Sequence, residues 1–180
     1  MKLYTIGHSN HPFSALVGLL NEREIVNLVD VRTDPYSRYN PQFNKETLEY
    51  ELPRHKIRYL YMGKVLGGRP DDPKLYKHRA PGSGQVDFLH EVDYPQIMRR
   101  DWFQQSIREL LDLAELDNSA ILCSEENPAE CHRHHLIAKY IMENFPEVEV
   151  RHIRGDGQEY SAKSVLKSVN DPPAVQDRLF

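Results

Sequence analysis

The sequence predicts an α/β protein of three layers, in which helices cover a mainly parallel five-stranded sheet. Short apolar runs typical of buried strands alternate along the chain with longer segments of helical periodicity. A length of 180 residues fits one domain that can bury its own core. No internal repeat or low-complexity tract interrupts the pattern, so we expect a single domain over residues 1–180.

The first half of the chain contains three predicted strands, at residues 3–6, 27–31 and 57–61. The helix after the first strand has apolar residues at helical spacing: Phe13, Leu16, Val17 and Leu20. A second helix begins near Asn44 and ends at Pro53, because a proline disfavours the helical conformation of the residue before it.

The second half begins with a glycine- and proline-rich stretch at about 62–95, which we expect to be a loop-rich insertion that serves as a lid or determines specificity. A third helix follows, with one apolar face: Phe103, Ile107, Leu110, Leu111 and Ala114. Strands are predicted at residues 120–122 and 148–153, on either side of a helix whose inner face is Leu136, Ile137, Tyr140 and Ile141. The polar chain from about 155 is expected to be a C-terminal extension.

Charge and composition limit the classes of function. A net charge of -4 and a pI near 6.1 argue against a strongly basic surface that coats nucleic acid, so the composition gives no support for a nucleic-acid partner beyond a local basic pocket. No signal-peptide pattern and no membrane-spanning apolar run is present, and we expect a cytoplasmic protein without a membrane partner. Its two cysteines are expected to be thiols, because a reducing compartment disfavours disulfides.

Polar residues follow several of the predicted strands. If the strands are parallel, the loops after them converge at one edge of the sheet, where open α/β sheets bind ligands. Arginines and glycines there would hold an anion, so we expect a small anionic substrate. The predicted substrate-binding residues are Ser9, Asn10, Arg32, Ser37, Arg38, Gly67, Gly68, Arg69, Glu125, Glu126 and Arg133. Ser9 or Asn10 is also suited to cap the first helix.

Both cysteines lie on the predicted loop between the strand at 120–122 and the helix after it. Cys131 falls near the start of that helix beside His132 and Arg133, a setting that stabilises a thiolate and predicts a nucleophile. Cys123 would then be a resolving thiol or a second residue of the site, and His8 or His132 the base. The structural alternative is that the thiols fill space, because free cysteine is among the most buried residue types.

The same loop also offers sulfur and imidazole metal ligands: Cys123, Cys131, His132, His134 and His135. Their spacing does not match the usual zinc patterns, since the chain contains neither Cys-x-x-Cys nor His-Glu-x-x-His. Adjacent His134 and His135 also cannot point the same way on a helix. We therefore expect no cofactor, and a metal site is the disfavoured alternative.

Four separated motifs resemble an uncharacterised prokaryotic family, catalogued as domain of unknown function 488. The motifs are Tyr4-Thr-Ile-Gly-His-Ser-Asn, Val29-Asp-Val-Arg followed by Pro35 and Ser37-Arg38, Leu66-Gly-Gly, and Cys123-Ser-Glu-Glu followed by Cys131-His-Arg. The resemblance runs from the N-terminus to about Ile153. It implies a small single-domain α/β protein and no assigned reaction.

A weaker resemblance is to rhodanese-like domains, through Leu28-Val-Asp-Val-Arg and a cysteine at a strand end. Such domains close a short loop of N–H groups around the cysteine. Here the loop from Cys123 to Arg133 is longer and includes Pro128, which has no N–H to donate.

These features predict an enzyme, a cysteine- or histidine-dependent hydrolase or transferase, acting on an anionic and phosphate- or nucleotide-containing substrate. The alternative is a non-catalytic module that binds a ligand or a partner and regulates it. A narrower alternative is a redox role for the two cysteines, which requires their sulfurs to approach disulfide distance.

Overall fold

The computed structural model of the protein describes residues 1–78 and 87–165. Within these residues, six strands form one sheet in the order β3-β2-β4-β1-β5-β6. The strands are β1 (Lys2–Gly7), β2 (Asn27–Asp30), β3 (Arg58–Tyr61), β4 (Ser119–Cys123), β5 (Glu149–Ile153) and β6 (Glu159–Ser161). The first five are mutually parallel where they pair, so the predicted α/β fold with a mainly parallel sheet is confirmed.

The predicted number of five strands is wrong, because β6 pairs antiparallel with β5. Its three residues, Glu-Tyr-Ser, are partly or fully exposed and give no apolar signal at the edge of the sheet. The start of the predicted C-terminal extension is therefore part of the sheet. The rest of that extension, beyond residue 165, lies outside the described residues.

Among the described residues, seven α-helices lie between β1 and β5, and they pack against two separate hydrophobic clusters. The helices are α1 (Phe13–Asn21), α2 (Lys45–Glu51), α3 (Gly63–Leu66), α4 (Phe88–Glu91), α5 (Tyr94–Met98), α6 (Asp101–Leu116) and α7 (Lys139–Asn144). Alternate strand residues point to opposite faces of a sheet. Accordingly, Ile121 packs in one cluster with α6 and α7, whereas its neighbours Ala120 and Leu122 pack in the other with α1 and α2.

Two predictions about helix ends need correction. Neither Ser9 nor Asn10 caps α1, because Pro12 occupies the N-cap position and no side chain caps the helix. The α2 helix ends at Glu51, before the predicted end, and Pro53 lies in the 3₁₀ turn Leu52–His55 that continues it. The missing N–H of proline is tolerated there because the first N–H groups of such a turn have no internal partner.

The predicted insertion contains more helix than its glycines and prolines indicate. Between β3 and α6 the chain forms α3, a 3₁₀ turn at Pro73–Leu75, α4 and α5, and residues 79–86 lie outside the described residues. Tyr76 and Val92, on either side of residues 79–86, form an isolated antiparallel bridge. None of the helices in the described part of the chain is both long and apolar enough to cross a membrane.

The strand register sets the position of the polar loops. Gly7, the last residue of β1, lies opposite Cys123, the last residue of β4, and Asp30 at the end of β2 lies opposite Leu122. The three strands therefore end at nearly the same level. As expected for parallel strands, the loops that follow them meet at one edge of the sheet.

Candidate functional site

A pocket of about 230 Å³ lies at the carboxyl ends of the central strands. Four parts of the chain contribute to it: the loop after β2, the segment after α3, the region from α4 to α5, and the loop after β4. Its lining residues are Arg32, Thr33, Asp34, Gly68, Arg69, Asp87, Phe88, Leu89, Tyr94, Cys123, Ser124, Glu125, Glu130, Cys131 and His132.

Two sulfurs and one imidazole nitrogen meet in the lining of this pocket. Cys123 Sγ lies 3.6 Å and Cys131 Sγ lies 3.9 Å from His132 Nδ1. All three atoms lie within 4.8 Å of one another. Both cysteines are free thiols and buried. We call Cys123, Cys131 and His132 the thiol–imidazole centre.

The orientation and tautomer of His132 follow from its surroundings. Its Nε2 lies 3.1 Å from the carbonyl oxygen of Val31, which can only accept, so Nε2 donates and the neutral ring carries a lone pair on Nδ1. Gly68 lies against the ring, and a Cβ at that position would be 2.6 Å from His132 Cγ. The absence of a side chain at Gly68 thus lets the imidazole point Nδ1 at both sulfurs.

Cys131 lies at the entrance to a π-helical turn, Arg133–Ala138, that continues into α7. The N–H of Arg133 points at Cys131 Sγ at 3.5 Å. Burial opposes ionisation of Cys131, but the hydrogen bond from Cys123 and the Arg133 charge hold its pKa well below the usual range. The same hydrogen bond, together with burial, raises the pKa of Cys123. One negative charge is therefore favoured on the pair, at Cys131.

Arg133 is fully buried, and no carboxylate of the described residues pairs with its charge. The guanidinium donates to the carbonyl oxygens of Glu125 and Glu126, while Nε lacks a hydrogen-bond partner. Among the described residues Arg133 forms no ion pair with a carboxylate. Because an uncompensated buried charge is costly, this arrangement favours a negative charge nearby.

Arg32, by contrast, is paired within the protein. Its guanidinium binds the carboxylate of Asp30 through Nε at 2.9 Å and through Nη2, and it also donates to the carbonyl oxygen of Phe43. His8 donates from Nδ1 to the carbonyl oxygen of Ser9, so its Nε2 accepts from Arg32 at 3.0 Å. Burial and the Arg32 charge lower the pKa of His8 to about 4. The Arg32 guanidinium therefore fixes the orientation of the His8 ring, and His8 accepts one of the hydrogen bonds that this guanidinium donates.

The pocket brings together about half of the residues predicted for the site. Those that line it are Cys123, Cys131, His132, Arg32, Gly68, Arg69 and Glu125. Those that do not are His8, Ser9, Asn10, Ser37, Arg38, Gly67, Glu126 and Arg133. Among the second group, His8 and Arg133 still act on the pocket through hydrogen bonds and charge, as described above.

Local contacts explain the other positions. Ser37 accepts hydrogen bonds from the backbone of Tyr39 and Asn40, and exposed Arg38 stacks on the Tyr39 ring. Glu126 pairs with Arg154 at 2.7 Å on a different part of the surface. These residues, together with Ser9, Asn10 and Gly67, therefore do not line this pocket.

Several lining residues are absent from the sequence prediction. Thr33, Ser124 and Glu130 adjoin predicted positions, and the end-of-strand rule applied to each loop residue would include them. Phe88, Leu89 and Tyr94 come from the insertion, which is expected to be a lid or to determine specificity, but no sequence signal singles out these three residues.

Charges at the pocket differ in their exposure. The carboxylates that line it are all exposed: Asp34, Asp87, Glu125 and Glu130. Exposed Arg69 stacks over the Phe88 ring at 4.4 Å. Solvent screens exposed charges, whereas a buried charge is screened much less. Among the described residues, the buried charges near the centre are those of the Arg32–Asp30 pair, which neutralise each other, and of Arg133.

Comparison with known proteins identifies a family. The family model described as "Domain of unknown function DUF488" matches residues 13–141, which include Cys123, Cys131 and His132 but not the Tyr4–Asn10 motif. No curated protein and no solved structure matches the chain, and the resemblance to rhodanese-like domains finds no support. Because the match covers more than half of the chain, the protein belongs to the DUF488 family of unknown function.

Proposed function

We propose that the protein is an enzyme, a hydrolase or transferase, that acts on a small anionic substrate in this pocket. The thiol–imidazole centre would supply the reacting groups. The observation that carries the proposal is that Cys123 Sγ, Cys131 Sγ and His132 Nδ1 meet within 4.8 Å in the lining of a pocket at the strand carboxyl ends.

The charge distribution supports an anionic substrate. Arg133 places an unpaired positive charge behind the centre, and Arg69 offers a second one at the pocket surface. Phosphate and carboxylate groups bind to guanidinium groups through paired hydrogen bonds. The four carboxylates of the lining are exposed, so solvent screens their repulsion of an anion.

The insertion and the free thiols support two further parts of the proposal. Phe88, Leu89 and Tyr94 line the pocket and would contact the uncharged part of a substrate, as expected of a specificity insertion.

Free thiols at Cys123 and Cys131 suit a reducing compartment, and we place the activity in the cytoplasm.

A pair of arginine variants tests the proposal. Arg69→Gln removes a charge from the pocket, whereas Arg38→Gln removes an equally exposed charge outside it. We expect Arg69→Gln to weaken binding of inorganic phosphate about 10-fold or more, and Arg38→Gln to leave it unchanged. Calorimetry measures the binding, and a panel of phosphate esters and nucleotides screens for turnover.

The outcomes separate the alternatives. Turnover that falls at least about 100-fold in Cys131→Ser supports the enzyme. Binding that depends on Arg69 without any turnover in the panel favours the regulatory binding module instead. Equal phosphate binding by the two arginine variants would contradict an anion site in this pocket.

A further inference from the structure

The thiol–imidazole centre has the chemistry and the spacing of a metal site. Zinc binds thiolate sulfur at about 2.3 Å and imidazole nitrogen at about 2.0–2.1 Å. In a tetrahedron with those bond lengths, neighbouring ligand atoms are about 3.5–3.8 Å apart. The distance from His132 Nδ1 to Cys123 Sγ, 3.6 Å, agrees with that spacing, and the distance to Cys131 Sγ, 3.9 Å, is slightly longer.

We infer that Cys123, Cys131 and His132 together bind a thiophilic divalent metal ion of the zinc type. Two sulfurs and one imidazole are ligands that zinc prefers over the harder cations calcium and magnesium. The inference rests on the proposed function, because it names the cofactor of the same centre. It also differs from the expectation drawn from the spacing of the ligands along the sequence, which disfavoured a metal.

The groups around the ligands support a metal site independently. Metal-binding histidines generally donate their second ring N–H to a carbonyl or a carboxylate, as His132 Nε2 does to Val31. The N–H of Arg133 points at Cys131 Sγ, an interaction that stabilises a thiolate ligand. Gly68 packs on the imidazole and fixes the direction of Nδ1.

The arrangement resembles a catalytic metal site more than a structural one. Structural zinc usually has four protein ligands, whereas catalytic zinc has three and leaves one position for water or substrate. Here the described residues bring three ligand atoms together, and all three residues also line the pocket. A fourth ligand would therefore enter from the pocket.

Charge balance connects the metal with the anionic substrate. Two thiolates neutralise a divalent ion, so Arg133 would leave the buried centre with one positive charge. A hydroxide ion or an anionic substrate group at the fourth position would balance it. When bound, the metal would supply Lewis-acid polarisation of the substrate.

Zinc and cobalt binding by the full chain test the inference. After treatment with a chelator, the protein is titrated with zinc in competition with a chromophoric chelator. We expect one zinc per chain, and affinity at least about 100-fold lower in Cys123→Ser, Cys131→Ser and His132→Gln. His135→Gln is the matched control, because this neighbouring histidine bonds to the carbonyl oxygen of Ala129 and is not among the three ligands.

Cobalt provides a readout that needs no variant. Cobalt(II) added to the wild-type chain should show sulfur-to-metal charge-transfer absorption and the visible bands of tetrahedral coordination. Absence of both signals, or equal zinc affinity in wild type and all three ligand variants, would overturn the metal site. If the protein binds no metal but loses turnover in Cys131→Ser, the metal site is overturned and the proposed enzyme is still supported. If the protein binds metal but shows neither turnover nor phosphate binding, the proposed enzyme is overturned and the metal site is still supported.

Discussion

Gly68 is the residue at which a single methyl group can disturb the thiol–imidazole centre. A Cβ there would lie 2.6 Å from Cγ of the His132 ring, too close for any real contact, so the imidazole must move. We expect Gly68→Ala to weaken zinc binding about 10-fold or more, because ligand geometry is lost while every ligand remains. Competition titration with zinc measures the effect.

Gly18 provides a control for the same substitution. It lies in α1, and a Cβ there meets no atom within 4 Å. Gly18→Ala should stabilise the protein by about 0.5–1 kcal/mol in urea unfolding and leave zinc affinity unchanged, because alanine loses less conformational freedom in a helix. Unchanged zinc affinity in Gly68→Ala would mean that His132 is not held by this contact.

At the scale of elements, a buried chain of hydrogen bonds joins β1, β5 and the π-helical turn. Thr5 Oγ1 lies 2.7 Å from His152 Nδ1, and His152 Nε2 lies 3.0 Å from His134 Nδ1. Burial, and then the charges of His134 and Arg133, lower the pKa of His152 to about 3. Both strands and the turn therefore pack around an uncharged imidazole.

This network predicts acid sensitivity. The pKa of an unfolded histidine is near 6.5, so the unfolded chain binds a proton more tightly than folded His152 does. Its stabilising contribution is fully present above pH 6.5 and is lost as the pH falls toward 3. From pH 7 to pH 5 we expect a loss of about 1–2 kcal/mol from this histidine in urea unfolding.

Two glutamine variants isolate that contribution. His152→Gln should reduce the pH dependence of the unfolding free energy by about 1–2 kcal/mol between pH 7 and pH 5, although the variant is less stable at pH 7. His55→Gln is the control and should not change it, because His55 is exposed and forms no ion pair among the described residues. An identical pH dependence in wild type and His152→Gln would refute the assignment.

The elements differ in how far the sequence predicts them. The apolar face of α6 predicts that helix, and each of its five predicted core residues is buried. The β6 strand is too short and polar to give a signal, and its pairing with β5 depends on contacts outside its own residues. The prediction that Ser9 or Asn10 caps α1 is wrong, because Ser9 adopts a positive φ of 48° in a turn and the helix begins after Pro12.

At the scale of the whole molecule, sheet topology explains which site residues could be predicted. Cys123 and Cys131 share one loop at the end of a central strand, so the parallel-sheet rule places them together. The same rule fails for Arg38, because the loop after β2 carries it away from the pocket. The rule also does not predict Phe88 and Tyr94, because these residues do not follow a strand and reach the pocket through the fold of the insertion.

The buried charges of the molecule likewise depend on tertiary structure. Sequence alone lists Arg32 and Arg133 as equivalent cations. In the structure Asp30 neutralises Arg32, whereas the guanidinium of Arg133 has only carbonyl partners among the described residues. The charge of Arg32 is therefore already paired, and the charge without a described carboxylate partner is that of Arg133, behind the thiol–imidazole centre.

The central claim is that Cys123, Cys131 and His132 act as one ligand-binding centre. The most direct measurement is the alkylation rate of each thiol in the native protein, with and without one equivalent of zinc, located by mass spectrometry. We predict that zinc protects both thiols together, and that His132→Gln abolishes this protection while His135→Gln retains it. Independent reaction of the two thiols, or protection that does not depend on His132, would contradict the claim.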